Sequence, residues 1–145
     1  MDRIDRAIIR HLQEDGRLTN TELADKVGLT PSPCLRRVRA LEEARVITGY
    51  HAAVDPVALG RGFRVLVHID IAAQNVGGIE AFESKVAEID AVESCVRMFG
   101  QPDYHLWVAV ADLDAYEELY MSAITRLPGV VRTNSQFPMK TVLPR

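Results

Sequence analysis

Residues Thr19–Gly49, TNTELADKVGLTPSPCLRRVRALEEARVITG, read as two helices joined by a short turn. Thr19, with Glu22 three residues on, forms a capping box in which side chains and backbone at a helix start satisfy each other. The short helix it opens carries Leu23, Ala24 and Val27 on one face, and small Ala24 permits close approach of a neighbour. Gly28 supplies the left-handed residue that stops this helix. Thr30 is placed to cap the next one, with Pro31 at its first position, where a missing N–H costs nothing, and Pro33 still in the first turn. Helix, glycine-containing turn, helix is the helix-turn-helix pattern.

At about 100° per residue, Cys34, Leu35, Val38, Leu41 and Arg45 share one arc of the second helix. Ser32, Arg36, Arg39, Ala40 and Glu43 take the opposite arc, and Arg37 lies on a flank. Residues 31–41 hold three arginines and no acid. Such a face suits a DNA major groove, where guanidinium groups reach guanine edges or phosphates. Ser32 and the helix start around Pro33 can approach a phosphate. A solvated basic face on a structural helix is the plainer alternative, and the capped helix pair weighs against it. The expected DNA contacts are therefore Ser32, Pro33, Arg36, Arg37 and Arg39, and which arginines meet bases rather than phosphates stays open.

Upstream, Asp2 can cap a first helix in which Ile4, Ile8 and Leu12 recur every four residues and Ile9 broadens the stripe, with Gly16 closing it. Downstream, VITGYHAAVDP (46–56) is rich in β formers and reads as a strand leading out, followed by the glycine-bearing linker ALGRG (58–62). The divisions expected are a DNA-binding domain over 1–50, a strand and linker over 51–63, and a second domain over 64–145.

In that second domain Arg64–Ala72 alternates as a strand with one apolar face. Ile79, Phe82, Val86 and Ile89 mark an amphipathic helix, Val92–Phe99 and Tyr104–Ala111 two more strands. Tyr116, Leu119, Tyr120, Ala123 and Leu127 mark a second helix, ended by Pro128 and Gly129, and Val130–Val142 reads as a long last strand. The order βαββαβ predicts a ferredoxin-like domain, so the fold class is α+β: an N-terminal helix-turn-helix (winged-helix-like) domain plus this sheet. Two helices cover one sheet face. The other, containing Leu66 and apolar neighbours, is expected to be covered by another subunit.

The 145 residues are 48% hydrophobic, enough to bury cores, and the net charge of −3 argues mildly against nucleic acid. Its distribution reverses that reading. Residues 1–50 carry nine Lys/Arg against eight Asp/Glu, and residues 51–145 eight against twelve, so the basic character is a local patch. One small patch binds DNA weakly, which predicts a multimer. No apolar run approaches the roughly 20 residues of a membrane span, and MDRIDRAI does not resemble a secretory leader, so a cytoplasmic protein with no membrane partner is expected. Cys34 and Cys95 lack partners at metal-ligand spacing and read as buried reduced thiols. No nucleophile–base pair, phosphate loop or metal cluster is visible, so neither enzymatic activity nor a cofactor is expected.

Five segments together resemble the Lrp/AsnC ("feast/famine") family of transcription regulators over essentially the full length: DRIDRAIIRHLQEDGR, LTPSPCLRRVRALE, VITGYHAAVDP, GQPDY and LPGV. The resemblance implies dimers paired sheet to sheet, associating into larger rings such as octamers, with an amino acid or related metabolite bound between subunits. The family's Gly-x-x-Asp-Tyr turn falls on Gly100, Gln101, Pro102, Asp103 and Tyr104, and the facing strand on Thr133 to Ser135. Family turns often carry an acid after the glycine, where this chain has Gln101. A zwitterion needs N–H donors for its carboxylate and an acceptor for its ammonium, which a glycine turn and Asp103 could offer. Met98, Thr133 and Ser135 would line the side-chain pocket; a plain hairpin turn is the alternative. Some haem-biosynthetic (sirohaem-type) decarboxylases also resemble this architecture, but His11, His51, His68 and His105 are scattered along the chain.

Overall fold

The computed structural model describes residues 1–72, 75–140 and 142, and the chain divides into two compact units, Met1–Ala53 and Val54–Arg145. In the first, α1 (Arg3–Glu14), α2 (Asn20–Val27) and α3 (Pro31–Glu43) pack around Ile8, Leu23, Ala24, Cys34 and Leu41. Two reciprocal capping boxes start α1 and α2. Asp2 and Asp5 exchange bonds of 2.9 Å at one, and Thr19 and Glu22 exchange bonds of 2.8 and 3.3 Å at the other. Gly28 ends α2 at φ 70°, the left-handed geometry its place required.

Three local expectations fail here. Thr30 occupies the N-cap of α3 but its hydroxyl caps nothing; the helix start is tied instead by the Asn20 amide, which donates to the Pro31 carbonyl at 2.7 Å. Leu35 is 37% exposed rather than buried, and Arg45 falls beyond the helix end at φ 56°. The segment 46–56 forms no strand. Its first residues fold back on the end of α3, with the Val46 and Ile47 N–H groups donating to the Leu41 carbonyl at 2.9 and 3.1 Å. The Tyr50 hydroxyl donates to Glu42 at 2.8 Å. β-forming residues make no ladder without a neighbouring strand, and Ile47 packs on the helical core instead.

The second unit is built from β1 (Phe63–Ile71), α4 (Val76–Ala87), β2 (Val92–Arg97), β3 (Tyr104–Val110), α5 (Leu113–Ser122), a 3-10 turn (Ile124–Arg126) and β4 (Val130–Gln136). The sheet order is β2-β3-β1-β4 with every pair antiparallel, the ferredoxin-like arrangement. Val65, Val67, Ile69, Leu106, Val108 and Tyr104 point from the sheet into the core, against Phe82 and Val86 of α4 and Tyr116 of α5. Strand β4 stops at Gln136, short of the expected Val142. Phe137 turns onto the rings of Phe63 and Tyr116, and Pro138 has no N–H to donate to a ladder. Cys34 is buried as expected, but Cys95, on edge strand β2, is exposed. Burial raises the pKa of the Cys34 thiol, and partial desolvation beside the Glu83 carboxylate raises that of Cys95, so neither is a ready nucleophile.

Candidate functional site

The outer face of α3 is concave. Ser32, Leu35, Arg36, Arg39, Ala40 and Glu43 line a hollow of about 350 Å³. Arg36 and Arg39 are exposed and enter no ion pair among the described residues, so both guanidinium groups are available to an anion. Ser32 lies on the same face, one turn nearer the helix start. Pro33 is half-buried beside it.

Arg37 is already engaged within the protomer. Its Nη1 donates to Asp2 at 2.8 Å and to Asp5 at 2.7 Å, bolting α3 onto the start of α1. Each carboxyl is held below its usual pKa, first by the reciprocal capping N–H and then by the guanidinium. Arg37 therefore leaves the set of free basic groups. The signal was present in the sequence as two acids at the first helix start, but nothing in the spacing said they would meet a residue more than thirty positions away.

In the second unit, the turn between β2 and β3 projects beyond the sheet end. Gly100 sits at φ 135°, a conformation that favours glycine, and the Gln101–Pro102 bond is cis. Gly100 and Gln101 are exposed, Pro102 is half-buried, and Met98 is 41% exposed with its N–H donating to the Asp103 carbonyl at 2.8 Å. Asp103 has a second engagement: its Oδ2 accepts the Ile71 N–H at 2.8 Å, at the register shift that ends β1. One oxygen of the expected ammonium acceptor thus closes the sheet.

Tyr104 faces inward. It is 1% exposed, and its hydroxyl donates to Glu83 Oε1 at 2.9 Å. Burial and the Glu83 carboxylate push its pKa up to about 12, so it remains a neutral donor. Arg97 approaches the same Glu83 oxygen at 3.4 Å. Thr133 and Ser135 also point to the helix layer, where their hydroxyls meet those of Tyr120 and Tyr116. Tyr104 and Thr133 flank Ile69 in register, so turn and last strand occupy the same end of the sheet. Tyr104, Thr133 and Ser135, expected at the effector site, thus each have a hydroxyl already bonded within the protomer. The sequence did not reveal the tyrosines of α5 or Glu83 as their partners; helical periodicity marked Tyr116 and Tyr120 only as core.

On the uncovered sheet face Leu66 lies opposite Trp107 and His68 opposite His105, whose rings stack at 4.5 Å. Arg64 covers the Trp107 ring at 4.9 Å and pairs with Glu93, and Asp70 pairs with Arg132. His68 Nε2 and Asp70 Oδ1 are buried without a hydrogen-bond partner among the described residues.

A helix-turn-helix with a basic outer face, joined to a ferredoxin-like domain, defines a DNA-binding regulator that carries a ligand-binding domain. Residues 1–48 match the winged helix-turn-helix DNA-binding profile and residues 64–145 the Lrp/AsnC ligand binding domain. The chain belongs to the Lrp/AsnC family of transcription regulators. It is 41% identical over 145 residues to the Bkd operon transcriptional regulator of Pseudomonas aeruginosa, covering 100% of this chain and 95% of that one. It is 39% identical over 142 residues to the leucine-responsive regulatory protein of Escherichia coli, covering 98% and 87%.

Among solved structures, a transcriptional regulator of Neisseria meningitidis in complex with L-methionine superposes with a TM-score of 0.94 at 33% identity, over 99% of this chain and 93% of that one. An AsnC family regulator of Agrobacterium tumefaciens gives 0.93 at 38% identity, over 99% and 94%. The family consists of regulators rather than enzymes, and the decarboxylase alternative is not favoured. No helix among the described residues is long and apolar enough to cross a membrane.

Proposed function

We propose that this chain is a cytoplasmic, homo-oligomeric regulator that binds double-stranded DNA sequence-specifically and answers to an amino acid or a closely related metabolite. Residues 1–50 read DNA through Arg36 and Arg39, with Ser32 and Pro33 at the phosphate backbone; residues 51–63 link them to a sensing and assembly domain over 64–145. The observation that carries the reading is the pair of exposed guanidinium groups around the hollow of α3, neither in an ion pair among the described residues. A partner subunit supplies the second recognition helix, so that two helices meet successive major-groove faces of an inexact palindrome. The sheet face bearing Leu66 and Trp107 supports pairing into a homodimer, since a second copy would cover its aromatic surface and its unpartnered polar atoms. Exposed Met98 and Phe99 at the turn give dimers an apolar edge for further association, up to an octamer.

The effector reading rests on the turn Gly100–Asp103 together with Met98. Exposed backbone at Gly100 and Gln101 can receive a carboxylate, and the Asp103 oxygen not bonded to Ile71 can take an ammonium. The L-methionine held by the Neisseria regulator supports an amino acid as the class. Arg36→Ala with Arg39→Ala is expected to abolish specific binding while leaving the oligomer intact, read by mobility shift on the chain's own promoter and by size-exclusion chromatography. Unaltered promoter binding by the double variant would refute the assignment of α3.

A further inference from the structure

The first helix carries a second basic surface that the recognition face does not use. Arg3, Arg6 and Arg10 fall within a narrow arc of α1 at helical spacing. With Lys26 from the last turn of α2 they line a concavity of about 940 Å³. All four side chains are exposed and none enters an ion pair among the described residues. The acid lining the concavity, Asp2, is already bonded to Arg37 and to the Asp5 backbone. That bond also fixes the location of the surface: Asp2 lines the concavity on one side and touches the flank of α3 on the other. The basic surface of α1 thus begins beside the flank of the recognition helix.

We infer that Arg3, Arg6, Arg10 and Lys26 bind the phosphate backbone of duplex DNA flanking the segment read by α3. The inference rests on the recognition reading given above, which supplies the polyanion. Three arginines spread along about 10 Å of α1 at 1.5 Å per residue, with Lys26 of α2 beside them, complement a duplex that carries one charge per about 1.7 Å of its axis. The contact carries no sequence information. It adds affinity, adds salt dependence, and favours DNA that bends back toward α1.

The test uses the full chain with Arg3→Gln, Arg6→Gln and Arg10→Gln combined, and the same set with Lys26→Gln added. These exposed positions accept glutamine within a helix, and Asp2 and Asp5 are left in place. Binding is measured across a salt series on two duplexes, the whole promoter fragment and one trimmed to the base pairs protected by the Arg36 and Arg39 face. On the long duplex the slope of log affinity against log salt is expected to fall by about 0.9 for each phosphate no longer neutralised. On the trimmed duplex the slope should hold, and discrimination between correct and altered bases should hold on both. Unchanged slope and affinity on the long duplex would overturn the inference, as it would if the true occupant were an acidic protein. Arg36→Ala with Arg39→Ala separates the two readings. Loss of discrimination with the dependence on flank length intact supports both, whereas retained discrimination defeats the recognition reading and leaves the flanking contact to be decided by its own slope.

Discussion

Arg37 illustrates how neighbouring arginines on one helix can have different roles. Arg36 and Arg39 enter no ion pair among the described residues, whereas Arg37 holds the carboxylates of Asp2 and Asp5 across an interhelical gap. Arg37→Ala is expected to lower the thermal midpoint of the helical unit by a few degrees while leaving base discrimination as it was, the reverse of Arg36→Ala. The acid response follows from the same cluster. Both carboxyls are depressed in the folded chain, so their stabilisation is present above the unfolded value near 3.9 and is lost as pH falls through the lower folded values. In Arg37→Ala the folded values rise toward the unfolded one, and acid melting, followed by amide exchange in α1, should begin at higher pH than in wild type.

At the scale of elements, α4 is pinned to the sheet chiefly by Phe82, fully buried with its ring 4.5 Å from that of Tyr104. Phe82→Ala should cost about 3–5 kcal/mol, measured by denaturant titration of the second unit. The apolar stripe that places Phe82 was plain in the sequence, as were the capping residues Asp2, Thr19 and Gly28, because local chemistry determines them. The βαββαβ order followed from alternation and spacing in the same way, whereas the arc read for α3 did not hold at Leu35. Beyond the local departures at Thr30, Leu35 and Arg45, what escaped was non-local. The excursion over 46–56 has strand-like residues but no strand to pair with, and Thr133 and Ser135 gave no sign that the tyrosine hydroxyls of α5 would take their own. Side chains of that kind report a possible contact in sequence and reveal their partner only when the layers close.

For the whole molecule, sensing requires an effector bound by the second unit to alter what the first unit does on DNA. Asp103 is the residue at which this can be tested, because it belongs both to the proposed ligand turn and to the closure of β1. Asp103→Asn keeps an oxygen for the Ile71 N–H and removes the charge offered to an ammonium. An amino acid that raises the thermal midpoint of wild type, as a ligand of the native state must, should give little shift in Asp103→Asn, while that variant binds the promoter as wild type does without ligand. An equal shift in both proteins would remove Asp103 from the effector site. The capping pair at the start of α1 also bears on how the protein is handled. The Asp2 N–H is bonded to Asp5 at 2.9 Å and the basic concavity opens beside it. An acidic segment joined close to Asp2 would crowd that corner and compete for its cations, so affinities measured on such a fusion would fall below those of the same chain once the segment is cleaved away.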